Sequence, residues 1–219
     1  MPILMAAAPV EAEQAMADVE WADEAHYEAD RAVADNGYPL RKVLEAFGTA
    51  CSGVEVTAVT QASAQAAGWD RFEPAPDSAI GQIIASGLRL VAEDDDGDPV
   101  EIIDGGVWSK QVAGRDLVLI ISGATFSGIA SYGCRVYDLA APAAPTAEQL
   151  QEWAVREPQQ VFTGLPGAYK FVWNPGLKPG HMEMEASFVP QGTVLPAPLE
   201  GIPLSGLVLT ASALEFLDQ

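Results

Sequence analysis

RDLVLIISGATFSGIASYGCRVYD, residues Arg115 to Asp138, is the longest near-continuous apolar run of the chain. Its first part, LVLIIS from Leu117 to Ser122, carries no charge and is rich in β-branched side chains. That composition suits a central strand covered on both faces. A second strand is predicted from Tyr132 to Asp138, with the Gly-rich GATFSGIA between them as a loop. The glycines and Phe126 make this loop the natural mobile rim of a pocket, because loops on a rigid scaffold carry function.

Upstream, Leu40, Val43, Leu44, Phe47 and Cys51 fall at helical spacing after Pro39, which suits a first helical turn. Val56, Val59, Ala62 and Ala66 continue a narrower apolar face up to Gly68, a natural C-terminal cap, with Trp69 placed to close it. Residues 39–68 therefore read as a helical pair or one bent helix, and a short helix is predicted from Asp77 to Ser86. Strands are predicted at Leu88 to Ala92, Val100 to Ile103 and Val107 to Val112, separated by acidic and Gly-rich turns. Downstream, Thr146 and Gln149 form a capping box for a helix that turns Leu150, Trp153 and Ala154 inward. Four more strands follow, at Gln159 to Phe162, Ala168 to Trp173, Met182 to Phe188 and Gly206 to Leu214.

Helices, then strands, a helix and more strands, without an internal repeat, indicate an α+β fold. The expected sheet is antiparallel or mixed, of about six or seven strands, with helices packed on one face. Residues 36–219 form this domain, and residues 1–35 combine a leader remnant with an acidic helical segment. MPILMAAAPVEA at the start resembles the tail of an export signal, although no Lys or Arg precedes Arg31. The expected location is periplasmic or secreted, the alternative being a cytoplasmic protein with an Ala-rich N-terminus. No stretch approaches the apolar length of a membrane helix.

The chain carries 11 Lys and Arg against 31 Asp and Glu, a formal net charge of −20, and no basic cluster. Such a surface repels phosphate backbones, which excludes nucleic acid and anionic membranes as partners. There is no GxGxxG or GxxxxGK[ST], so no cofactor is expected. Cys51 and Cys134 lack metal-ligand or CxxC spacing. They form either one disulfide, closing a loop of about 80 residues for about 3 to 4 kcal/mol, or two buried thiols.

Among site candidates, His181, Glu183 and Glu185 alternate onto one face of a strand, with Met182, Met184 and Phe188 on the other. An imidazole and two carboxylates could hold a divalent metal or act as general base and acid. The plain alternative is a solvated strand face paired with Lys170. The acidic loop Glu93 to Asp98 fails the calcium-loop frame, since Ala92 and Ile103 stand where acids are needed. His26, amid acidic neighbours, is a candidate pH-sensitive contact. Ser122 and Ser127 lack the strand-to-helix elbow of a serine nucleophile, and Cys134 in an apolar strand reads as buried. Phe126 and Trp173, beside Gly/Pro turns, are pocket-rim candidates.

LEAFGTAC (residues 44–51), an Ala-rich helix ending in AAGWDRF (residues 66–72) and SYGCRVYD (residues 131–138) together resemble small exported proteins of Gram-negative bacteria with no assigned function. The resemblance covers residues 44–138 and is carried by Cys51, Gly68-Trp69 and Cys134. It implies export and a helix-to-strand disulfide, and it carries over no catalytic residue. The reading that follows is a non-catalytic periplasmic binding or protein-interaction module for a small molecule or a protein. Alternatives are a hydrolase-type enzyme using His181, Glu183 and Glu185, with or without a divalent metal, and a self-associating accessory protein.

Overall fold

A computed structural model describes residues 37–93, 100–197 and 199–217. The elements are α1 (Leu40–Ala50), α2 (Thr57–Ala66), β1 (Asp70–Phe72), α3 (Ala79–Glu93), β2 (Glu101–Val112), β3 (Arg115–Phe126), β4 (Ile129–Asp138), α4 (Ala147–Ala154), β5 (Gln160–Phe162), β6 (Tyr169–Trp173), β7 (Glu183–Val189) and β8 (Gly206–Phe216). The leader, the acidic helix with His26, and Asp94 to Asp98 of the calcium candidate lie outside the described residues.

The Arg115–Asp138 run folds as a tight hairpin rather than two strands around a loop. Phe126 pairs with Ile129, and Ser127 and Gly128 both take positive φ (46° and 77°), the two-residue turn whose twist matches the strands. GATFSGIA is therefore strand and turn, with no mobile loop. A second such turn, Ala113-Gly114, joins β2 to β3. The two short strands expected at 100–112 are one long strand, β2. The Gly105-Gly106 break is a bulge at which the register shifts between Asp104 and Val107. A Cβ on Gly105 would lie 2.4 Å from the Ile121 side chain, so the bulge brings bare backbone against β3.

All strand pairs are antiparallel, in the order β1-β2-β3-β4-β8-β7-β6-β5. The class is α+β, but the sheet has eight strands where six or seven were expected. The strand predicted at Leu88 to Ala92 is instead the second half of α3.

The inner sheet face packs on α1, α2 and α4. Leu117, Leu119 and Leu209 meet Leu44, Phe47 and Leu150, all 2% exposed or less. Local signals explain these helices. Trp69 N donates to Ala64 O and Gly68 N to Gln65 O, closing α2 with a Schellman cap that seats the buried Trp69. Thr146 and Gln149 form the reciprocal capping box of α4. A disulfide joins Cys51, at the end of α1, to Cys134 in β4, with Cα atoms 5.6 Å apart. Cys134 pairs across β4 and β8 with Ala211, whose small side chain leaves the bridge room.

The second sheet face carries its own apolar cluster. Ile80 of α3 packs with Tyr137 and Val208, flanked by Val118 and Ile120 of β3. Helices therefore cover both faces, correcting the one-face expectation. The LVLIIS run points apolar side chains both ways, and each set needs cover.

At the end of β4, Asp138 is 1% exposed and accepts from Arg115 Nε and Nη2 and from the Tyr38 hydroxyl, each at 2.8 Å. Arg115 also stacks over the Tyr38 ring, 5.6 Å from its centroid. Burial first, then the Asp138 charge and hydrogen bond, push the Tyr38 phenol far above its ordinary pKa, so it stays a donor. Asp138→Ala leaves the half-buried guanidinium unpaired and should cost about 3 kcal/mol in urea unfolding; a loss under a third of that would show the cluster to be a bystander. The Cys51→Ala, Cys134→Ala double variant should lose about 3 to 4 kcal/mol by the same assay, and an unchanged midpoint would show the bridge to be dispensable.

Candidate functional site

The His181, Glu183 and Glu185 candidates do not converge. Strand β7 begins at Glu183, and the residues before it form a turn in which Gly176 N donates to His181 O (3.0 Å) and Met182 O (3.1 Å). A Cβ on Gly176 would lie 2.5 Å from the His181 Cβ, so a bare glycine lets the turn close. The turn takes His181 out of the strand alternation. Its imidazole lies on the inner side with Met184, lining a cavity of about 320 Å³ with Leu44, Phe47, Cys51 and Trp153. Met182, expected on the apolar face, is 38% exposed.

Glu183 and Glu185 lie on the outer face, where Glu185 pairs with Lys170. Burial first, then the neighbouring Glu185, raise the Glu183 pKa. The sheet stands between the imidazole and the carboxylates, so they form neither an acid–base pair nor a shared ligand set. Among the described residues, no group of three or more His, Cys, Asp or Glu could hold a metal. The two cysteines are oxidised and buried, which leaves Cys134 no nucleophilic role. Trp173 is fully buried, its indole N–H bonded to Arg156 O at 3.0 Å, and forms no rim.

Phe126 stands at the end of a much larger cleft on the outer face, about 770 Å³, between α3 and strands β2, β3, β4 and β8. The roof is the apolar stripe of α3: Ile83, Ile84, Gly87, Leu88 and Val91 follow Ile80 at three- and four-residue steps. Only the start of this stripe packs. Ile80 is 7% exposed, Ile83 and Ile84 are half-buried, and Leu88 is 49% exposed.

The floor alternates out of the β-strands. Ser122 and Ala124 of β3, Ser131, Arg135 and Tyr137 of β4, and Ser212 of β8 face the cleft. Ser122, Gly133 and Ser212 share one register row across β3, β4 and β8. Arg135 folds back over Gly133, where a Cβ would come within 2.7 Å of its Nη1, and donates to Ser122 Oγ at 3.2 Å. Among the described residues no carboxylate lies within ion-pair distance of this half-buried guanidinium. Arg135 thus sets the one positive charge of the described residues lining this cleft among apolar, aromatic and hydroxyl-bearing side chains.

Sequence reasoning passed over Arg135, Ser131 and Ser212. The signal was present in part: Ser131, Gly133, Arg135 and Tyr137 alternate along β4, and Ile80 to Val91 keeps helical spacing well beyond Ser86. The pairing of Gly133 with Ser212, between strands distant in sequence, has no local signature.

Burial first, and the Lys178 charge second, hold the His181 pKa below its ordinary value, against a hydrogen bond to the Ser52 backbone and the Glu55 charge. The folded state thus binds this proton more weakly than the unfolded chain does. His181 contributes stability above the ordinary pKa of 6.5 that is lost as pH falls through the depressed folded value. The urea midpoint should drop between pH values of about 7.5 and 5, and His181→Gln should flatten that drop; an equal drop in the variant would assign it to other groups.

Comparison with protein-family models, with curated proteins and with solved structures gives no match to this chain. The chemistry of the two sheet faces carries the functional reading.

Proposed function

We propose that the protein is a non-catalytic binding protein whose ligand is an amphipathic organic anion held in the cleft between α3 and the outer sheet face. The observation that carries this is Arg135, a guanidinium without a carboxylate partner among the described residues, set on a serine-lined floor under an apolar helical roof. Ligand sites combine apolar walls with a few placed polar groups, which is the composition of this cleft. Hydrogen bonds to a charged group contribute about 1.5 to 3 kcal/mol, and each buried methylene about 0.8 kcal/mol. A ligand with both an anionic head and an apolar body therefore uses the whole cleft.

The hydrolase reading finds no support in an imidazole and two carboxylates on opposite faces. Export to an oxidising compartment, as in the small exported Gram-negative proteins that residues 44–138 resemble, is supported by the Cys51–Cys134 disulfide. The described residues contain no helix long and apolar enough to cross a membrane.

Titration with anilinonaphthalene sulfonate tests the proposal. The wild-type protein should enhance and blue-shift the dye's fluorescence, and Arg135→Gln should weaken binding by about 10- to 100-fold with an unchanged unfolding midpoint. Absence of binding, or equal binding by both proteins, would sink it.

A further inference from the structure

We infer that the natural ligand is a single-chain, medium-length acyl carboxylate, with its head against the Arg135 guanidinium beside Ser122 and its chain running under α3 toward Phe126. This rests on the binding reading above and adds the ligand's class, length and direction.

The head position follows from the register row. Ser122 and Ser212 flank Gly133 on either side, and the Arg135 guanidinium occupies the space above that glycine. The guanidinium, hydrogen-bonded to Ser122 Oγ, presents a planar fork of N–H donors in the cleft, which suits the two oxygens of a carboxylate. Glu183 continues the same row beyond Ser212. An acidic residue one strand beyond Ser212 means that a doubly charged head such as a phosphate meets more repulsion than a carboxylate.

The chain direction follows from the roof. At the Ile80 end the helix is packed on Tyr137 and Val208, which closes the cleft, and further along Leu88 is 49% exposed. Gly87 sits in the middle of the apolar stripe. A Cβ there would meet nothing within 4 Å, so no steric demand explains the glycine. Glycine inside a helix is unfavourable relative to alanine, and a larger apolar residue could have filled the cleft. The bare position keeps the roof free of a side chain at that point of the cleft, where an unbranched hydrocarbon would lie.

The length follows from the strand rise. From Ser122 to Phe126 the cleft floor spans four residues of β3, about 14 Å, close to the extended length of a dodecanoate tail. Phe126 at 38% exposure, with Phe216 at 79% in the same row two strands away, marks where the chain would meet solvent. The charge balance adds a reason for the tail. A chain of net charge −20 repels small anions in bulk, so affinity has to come from buried methylenes.

The test is displacement of bound anilinonaphthalene sulfonate by octanoate, decanoate, dodecanoate, tetradecanoate and hexadecanoate, with dodecanol and dodecyl phosphate as head-group controls. Affinity should rise about tenfold per step from octanoate to dodecanoate and level off beyond, and dodecanol and dodecyl phosphate should both bind at least about tenfold more weakly. Gly87→Phe should weaken dodecanoate by about tenfold or more, with the unfolding midpoint unchanged.

Affinity independent of chain length, dodecanol or dodecyl phosphate binding as tightly as dodecanoate, or an unaltered Gly87→Phe would overturn the inference. So would light scattering that shows a dimer unaffected by dodecanoate, since a second copy would then fill the groove. Dye binding that depends on Arg135 alongside a flat chain-length series would remove this inference alone and leave the binding reading standing.

Discussion

Burial of both faces of β3 is the constraint on which the rest of the architecture depends. Leu117, Leu119 and Ile121 point to the inner side and are 3% exposed or less, while Val118 and Ile120 point to the outer side and join the Ile80 cluster. A strand with apolar side chains on both faces is stable only between two layers. The inner layer is supplied by α1, α2 and α4, stapled to the sheet through Cys51–Cys134. Among the described residues the outer layer is supplied by α3, which is too short to cover eight strands. The cleft is the part of the outer face that α3 overhangs without touching, and its polar floor begins where the apolar run of β3 ends, at Ser122.

The inner half of the fold was legible in the sequence because local chemistry decides it. The spacing of Leu40, Val43, Leu44 and Phe47, the Gly68-Trp69 cap and the Thr146/Gln149 box each act within a few residues. The hairpin turns were not legible, because Ser127-Gly128 and Ala113-Gly114 lack the Asn-Gly type signal and take positive φ at a non-glycine position. Leu88 to Ala92 looked like a strand because a five-residue apolar window satisfies either period. Only the longer stripe from Ile80 to Val91 decides for a helix.

The site was less legible than the fold, for a physical reason. Alternation along one strand is a sound rule only inside the strand, and His181 lies one turn outside it, where the Gly176 contact sets its direction. Phe126 was named for its place in a supposed loop, and it stands at the cleft through strand alternation instead. The cleft floor is assembled across β3, β4 and β8. Its three positions, Ser122, Gly133 and Ser212, come together only through pairing between strands far apart in sequence, and a single sequence carries no trace of that register.

The place of β8 in the sheet has a consequence for how the chain reaches this structure. Strands β1 to β4 form one run of neighbours and β5 to β7 another, and the two runs touch only through β8, the last strand of the described residues. Until that strand is available, β4 and β7 both present open edges, and the row carrying Ser212 does not exist. Two half-sheets waiting for a late strand are a slow, non-local closure of the kind that exposes chains to mispairing. A polypeptide built this way joins its two half-sheets only after β8 has been synthesised, so during synthesis both halves wait with an edge unpaired.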